Sequence, residues 1–139
     1  LLVGTHDGVH EVDLQSGATT PVGESRDDVM GFAGAPLGTL VASGHPGMAS
    51  SAANPLGLIA SDDAGVTWRN VSLQGEVDFH VLAADGSRIA GWDARGAVLY
   101  SGDGAEWAVA GRVLALEAFT ATVNVAYAVT PTRVQIIGN

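Results

Sequence analysis

Cysteine does not occur in this chain of 139 residues. Disulfide bonds and thiolate metal ligands are therefore excluded, although the lack of cysteine does not fix the cellular compartment. Basic residues are scarce as well, because 6 Lys and Arg stand against 15 Asp and Glu and leave a net charge of -9. Such a chain repels phosphate groups, so we expect neither nucleic acid nor an anionic membrane surface as a partner.

Long apolar runs and helix patterns are also missing. No apolar stretch approaches the ~20 residues that a membrane-spanning helix requires, and no segment of normal helix length carries caps. Hydrophobic residues make up 47% of the chain, charged residues only 15%, and 19 residues are glycine. This composition is typical of a well-buried globular protein rather than a disordered one.

The chain contains instead a repeat of strand-like segments that run into a turn. The segments cover residues 2–6, 40–45, 89–92 and 126–131. When His6, His45, Trp92 and Pro131 are taken as equivalent positions, the intervals are 39, 47 and 39 residues. The middle interval holds a small-residue stretch at 47–55, which we interpret as a loop insertion. The period of about 40 residues is that of one four-stranded propeller blade.

This repeat predicts an all-β fold, a partial β-propeller of about three to four blades of four antiparallel strands, A to D. Alternation such as that of residues 9–14 fits half-buried strands, and Gly-rich links fit hairpins. Residues 1–139 form one propeller segment with a partial blade at 1–28, blades at 29–75 and 76–112, and a partial blade at 113–139. Because propellers usually close with four to eight blades, we expect a segment of a longer propeller.

Two turn motifs support the blades. Residues 61–68 fit the pattern Ser-x-Asp-x-Gly-x-Thr-Trp, and residues 101–107 are a copy that is one residue shorter and lacks the Thr. In each motif the Asp is expected to accept N–H groups across the C–D turn, the Gly to permit a positive φ, and the Trp to pack between blades. A calcium-ligand pair at Asp62 and Asp63 is the alternative. The expected structural residues are Ser61, Asp63, Gly65, Thr67, Trp68, Ser101, Asp103, Gly104 and Trp107.

These motifs resemble the Asp-box, or bacterial neuraminidase, repeats of sialidases, sortilin-type receptors and photosystem-assembly propellers. Segments 30–32, 42–46, 57–59 and 75–80 also resemble a group of bacterial secreted propellers labelled glycosyl-hydrolase-like. The resemblance covers most of residues 1–110. It implies an extracytoplasmic or secreted, bacterial location, and it implies no particular substrate.

Propeller geometry places a candidate site at the end of the sheets opposite the Asp-boxes. The ends of the B strands and the starts of the A strands meet there, close to the central channel. Three of the four histidines and several carboxylates are expected on this rim. The candidate ligand-binding residues are His6, Asp28, His45, Glu76, Asp78, His80 and Trp92.

The sequence leaves the chemistry of this rim open. His45, Asp78 and His80 suit a divalent metal such as Zn²⁺, an acid–base pair, or loop anchoring through backbone carbonyls. Trp92 suits either a sugar-stacking platform or a filler between blades. A divalent metal is the one cofactor that these residues imply.

The scarcity and scatter of Arg residues argue against sialidase activity. A sialidase would need an Arg trio and a Tyr nucleophile helped by a Glu, but the Arg residues here are scattered, and Tyr127 lacks an evident acidic partner. We therefore expect a non-catalytic segment that binds a glycan, a small ligand or a metal. The alternatives are a glycoside hydrolase with two facing carboxylates, such as Asp28 with Glu76 or Asp78, and a scaffold for a protein partner.

Overall fold

A computed structural model describes residues 1–35, 38–86, 88–116, 118–121 and 126–137. These residues form β-strands joined by turns and no α-helix, so the all-β prediction is confirmed. A membrane-crossing helix, which needs both length and apolar composition, does not occur among them. The strands are β1 Leu2–Thr5, β2 Gly8–Val12, β3 Thr19–Pro21, β4 Asp28–Gly34, β5 Leu40–His45, β6 Leu58–Ser61, β7 Arg69–Ser72, β8 Phe79–Asp85, β9 Arg88–Asp93, β10 Ala97–Ser101, β11 Ala108–Arg112, β12 Ala118–Ala121, β13 Ala126–Thr130 and β14 Arg133–Ile137.

The strands form four antiparallel sheets in which neighbours along the chain pair with each other. Sheet 1 has the order β1-β2-β3, sheet 2 β4-β5-β6-β7, sheet 3 β8-β9-β10-β11 and sheet 4 β12-β13-β14. The first strands of successive sheets lie against one another, since β4 contacts β8 and β8 contacts β12. The sheets are thus stacked side by side with the first strand of sheets 2, 3 and 4 innermost, which is the arrangement of propeller blades.

Among the described residues the core consists of three apolar layers, one between each pair of neighbouring sheets. Alternate residues of one strand enter different layers, because successive side chains point to opposite faces. In β5, for example, Ala42 faces sheet 1 and Val41 faces sheet 3. In β10, Leu99 faces sheet 2 and Val98 faces sheet 4. Both faces of the inner sheets are therefore buried, which explains the high apolar content.

Phe79 is the largest fully buried side chain of the layer between sheets 2 and 3. Its ring lies 4.9 Å from that of Trp107, centroid to centroid. The ring also covers Gly91, where a Cβ would lie 2.4 Å from Phe79 Cδ1. Glycine at position 91 is what lets the ring approach the strand so closely.

An aspartate closes the turn between the third and fourth strand of sheet 2. The two Asp63 carboxylate oxygens accept the Thr67 N–H (2.9 Å), the Thr67 hydroxyl (2.6 Å) and the Ser61 hydroxyl (2.8 Å). Gly65 has φ +92°, as expected. Donation by the Thr67 hydroxyl, then by its N–H and by Ser61, lowers the pKa of Asp63 to about 2.

The shorter turn of sheet 3 is also closed by an aspartate, which accepts from a different set of donors. Asp103 accepts the Ser101 hydroxyl and, in place of the missing Thr, the backbone N–H groups of Ala105 and Glu106. The pKa of Asp103 is lowered, chiefly by the Ala105 N–H. Sheet 1 carries a third turn of this kind, because Asp13 accepts the N–H groups two and three residues later. The turn motifs of the sequence do not predict this turn.

We predict that Gly91→Ala destabilises the chain by about 1–3 kcal/mol, because the added methyl group overlaps the buried Phe79 ring and one of them must move. Gly34→Ala is the matched control, since Gly34 also lies in a strand and a Cβ there meets nothing within 4 Å. Urea unfolding of the two variants and the wild type measures the difference. Equal midpoints for all three would contradict this packing.

We predict that the stabilisation by Asp63 depends on pH. Its pKa is lower in the folded chain than the ordinary value of 3.8, so the contribution is fully present above about pH 4 and is lost as the pH falls through about 2. The free energy of unfolding should therefore differ most between wild type and Asp63→Asn near neutral pH. Urea unfolding at several pH values measures this difference, and a difference that stays constant down to pH 2 would contradict the assigned donors.

Candidate functional site

Strand pairing brings the predicted rim residues to one end of the sheets. Asp28 opens β4 and lies opposite His45, the last residue of β5. Phe79 opens β8 and lies opposite Asp93, the last residue of β9. The starts of the inner strands and the ends of their neighbours therefore share an edge.

Both inner strands carry a bulge just inside this edge. In β8, Phe79 pairs with Asp93 and Val81 with Trp92, which leaves His80 as the extra residue. In β4, Met30 is the extra residue at the corresponding place. A bulge redirects a side chain from the regular alternation. Asp78 precedes β8 and His80 is the bulged residue, so regular strand alternation does not set the relative directions of their side chains.

The first contact of the rim joins sheets 1 and 2. His6, after the end of β1, lies with its Nδ1 2.7 Å from the Oδ1 of Asp28. His6 is 84% exposed and Asp28 is 30% exposed. A carboxylate accepts, so the Nδ1 atom carries the proton and the Nε2 atom of the neutral ring carries a lone pair.

The second contact joins sheets 2 and 3. Asp78 Oδ2 lies 2.9 Å from the Nε2 of His80 and 3.4 Å from the Nε2 of His45. The other ring nitrogen of His45 lies 2.8 Å from Asn54 Oδ1, in the loop between β5 and β6. His45 thus connects that long loop to the neighbouring sheet. The Oδ1 atom of Asp78 is buried and has no hydrogen-bond partner among the described residues.

The third contact joins sheets 3 and 4. Trp92 donates its indole N–H to the Val113 carbonyl at 2.7 Å and packs with the apolar layer between these sheets. The His80 ring lies edge-on to it, with 6.2 Å between centroids. Each of the three equivalent residues therefore contacts the segment that leads into the next sheet. These residues are His6, His45 and Trp92. For Trp92 these contacts favour the filler between blades over a free stacking platform.

The arrangement of His45, Asp78 and His80 does not fit a metal ion. The Nε2 atoms of His80 and His45 lie 2.9 Å and 3.4 Å from the same Asp78 carboxylate oxygen, and only His80 is hydrogen-bonded to it. Among the described residues, no group of three or more His, Cys, Asp or Glu side chains is arranged to hold a metal.

An open depression of about 580 Å³ lies at the rim beside sheets 1 and 2. Its lining combines carboxylates, imidazoles and the first residues of the loop after β5. Met48 in that loop is fully exposed. The lining residues are His6, Asp7, Arg26, Asp28, His45, Pro46, Gly47, Met48 and Ala49.

Glu76, Asp78, His80 and Trp92 lie outside this depression. Glu76 is exposed, and its backbone carbonyl accepts from Arg95 at 2.9 Å. Asp93 is 4% exposed and accepts the N–H groups of Arg95 and Ala97, so it closes the turn after β9. The rim thus combines exposed side chains with carboxylates that hold its turns.

Three contributors to the rim were not predicted from sequence. Asn54 holds His45, and the buried hydroxyl of Ser43 accepts the Phe79 N–H at 3.1 Å across the sheets. Met48 supplies an apolar wall, which its position in a small-residue loop does not indicate. His10 is half-buried, and its Nε2 atom is buried without a partner among the described residues.

The Ser43 hydroxyl helps to position the contact between sheets 2 and 3, and its removal should lower the stability of the fold. Ser43→Ala leaves the Phe79 N–H buried without a partner, which costs about 1–3 kcal/mol. Ser51→Ala changes the same residue type at an exposed position in the loop after β5 and should be near neutral. Thermal or urea unfolding compares the two variants. If Ser43→Ala is as stable as Ser51→Ala, the hydrogen bond across the sheets does not hold β8 in place.

No protein-family model matches this chain, and a search of the curated proteins found no match. Among solved structures, the chain is similar to YCF48 from Cyanidioschyzon merolae, a β-propeller protein, with a TM-score of 0.55 and 18% sequence identity. The similarity covers 78% of this chain and 33% of YCF48. The chain thus spans about a third of that protein's length. At this identity the likeness shows the fold alone, and it confirms the predicted propeller architecture.

Proposed function

We propose that this chain is part of a non-catalytic, extracytoplasmic β-propeller that binds a ligand on the rim formed by His6, Asp28, His45, Glu76, Asp78, His80 and Trp92. One observation carries the proposal. Polar side chains from successive sheets gather at one end of the fold, where they line or border an open depression. Propellers offer such faces because each blade contributes its turns to the same end.

The hydrogen bonds of the rim support binding rather than catalysis. Asp28 accepts from His6 of the neighbouring sheet, whereas Asp78 accepts from His80 of its own sheet and lies 3.4 Å from the Nε2 atom of His45 in the neighbouring sheet. A glycoside hydrolase needs two carboxylates that face a substrate, one of them able to donate a proton. Carboxylates already engaged in contacts between sheets favour a fixed recognition surface.

A protein-interaction scaffold is the second candidate. The fully exposed Met48 beside the depression favours it, because a large apolar side chain on a polar rim is typical of a contact surface. The likeness to a solved propeller is compatible with either candidate, since a fold alone does not define a function.

The proposal predicts that binding depends on this end of the sheets. Glycan and peptide arrays probed with the wild type should give ligands whose binding falls about tenfold or more in the double variant Asp28→Asn/Asp78→Asn, because each carboxylate is a charged contact. The matched control is Asp62→Asn/Glu106→Gln, which removes two charges near the turns at the other end. Thermal unfolding checks that both variants fold.

Two results would contradict the proposal. One is an array ligand that loses binding in the control but not in the rim variant. The other is release of product from a glycan by the wild type that stops in Asp28→Asn/Asp78→Asn, since that would make the rim an active site.

A further inference from the structure

We propose that the depression beside sheets 1 and 2 binds a lysine side chain of a partner protein. The ammonium group would contact Asp7, Asp28 and His6, and the methylene chain would lie along Met48 and Pro46. This assignment rests on the proposed function, because it specifies the chemistry of the ligand at one part of that rim.

The first argument is the set of unused acceptors. Asp28 engages His6 through Oδ1, and its Oδ2 atom has no partner among the described residues. His6 gives Nδ1 to that carboxylate, so the Nε2 atom of the neutral ring is an exposed acceptor. The exposed carboxylate of Asp7 likewise has no side-chain partner in the described part of the chain. A lysine ammonium has three N–H donors and no acceptor.

The second argument is that carboxylates outnumber permanent cations in the lining. Arg26 is the one guanidinium there, and it turns one NH₂ group to the carbonyls of Gly23 and Ser25. The Gly47 N–H donates to Asp27 at 2.8 Å. The Nδ1 atom of His45 is engaged with Asn54, and its Nε2 atom lies 3.4 Å from Asp78. The carboxylates of Asp7 and Asp28 thus stand against the one guanidinium of Arg26, which favours a cation over an anion.

The third argument is the apolar wall beside these acceptors. Met48 is fully exposed, and Pro46 and Ala49 line the same depression. Methionine adapts its shape to an apolar partner, and the lysine stem is a chain of methylene groups below a charged head. An apolar strip next to a group of acceptors matches both parts of that side chain. The net charge of -9 further favours a cationic partner.

The probes are two blocked amino acids, Nα-acetyl-lysine methylamide and its norleucine analogue, which has the same stem without the ammonium. Amide chemical shifts of the whole chain are followed by NMR during titration with each. We expect saturable shifts at residues 6, 7, 28 and 46–49 with lysine and at least about tenfold weaker binding with norleucine. Equal binding of the two probes would overturn the proposal.

Three variants locate the site. Asp7→Asn should weaken lysine binding by a factor of about 2 to 5, as for a partly exposed charge pair, and Met48→Ser should weaken both probes. Glu106→Gln removes one charge from the other end of the fold and should leave the affinity unchanged. Because neither Asp7 nor Met48 has a side-chain hydrogen bond in the described structure, neither variant threatens folding. Equal weakening by Asp7→Asn and Glu106→Gln would overturn the site.

Free amines and other ligands are distinguished in the same assay. Lysine-containing peptides should bind more tightly than putrescine, whereas tighter binding of putrescine would overturn the assignment to a protein partner. A neutral glycan that binds in a rim-dependent way, with no lysine binding, would overturn this inference and leave the proposed function standing. If no ligand depends on the rim, both fail.

Discussion

Apolar contact between neighbouring sheets is the interaction on which the rest of this structure depends. Each inner sheet buries both faces, so its strands need apolar residues at consecutive positions rather than at alternate ones. Phe79 shows how close the contact is, since its ring occupies the space that a side chain at position 91 would take. Everything at the rim is positioned by this stacking, because the rim residues lie at the ends of the stacked strands.

The two ends of the sheets have different chemistry. At one end, Asp13, Asp63 and Asp103 accept several N–H or hydroxyl groups of their own turns, and the pKa of each is lowered by those donors. These aspartates hold hairpins within a sheet. At the other end, Asp28 accepts from His6 of the preceding sheet, and Asp78 accepts from His80 and lies 3.4 Å from the Nε2 atom of His45 in the preceding sheet. These aspartates connect one sheet with the next, and the residues around them keep acceptors that face solvent.

Much of the fold could be predicted from sequence because its causes are local. Turn motifs and a period of about 40 residues place two blades at 29–75 and 76–112, and the strands of sheets 2 and 3 run from 28 to 72 and from 79 to 112. The equivalence of His6, His45 and Trp92 also follows from the period. The period does not predict which residue each side chain contacts. Asn54 reaches His45 only because the inserted loop folds back, and the bulge at His80 depends on pairing with β9.

The candidate site was predictable as a location but not as a set of contacts. Two histidines and an aspartate in neighbouring blades suggested a metal, whereas in the structure the Asp78 carboxylate is hydrogen-bonded to His80 and lies 3.4 Å from the Nε2 atom of His45. The Asp13 turn was missed because it lacks the Ser, Thr and Trp of the motif and keeps only the Asp. Residue type identifies a group that can bind, and orientation decides what it binds.

The most direct test of this account is the protonation state of the rim histidines. Two-bond ¹H–¹⁵N correlation spectra at about pH 8.5, where neutral imidazole predominates, report which nitrogen of each of the four histidine rings carries the proton. The account predicts the Nδ1–H form for His6 and the Nε2–H form for His80, each held by its aspartate. The opposite form at His6 would remove both the contact between sheets 1 and 2 and the exposed lone pair, and would contradict the account.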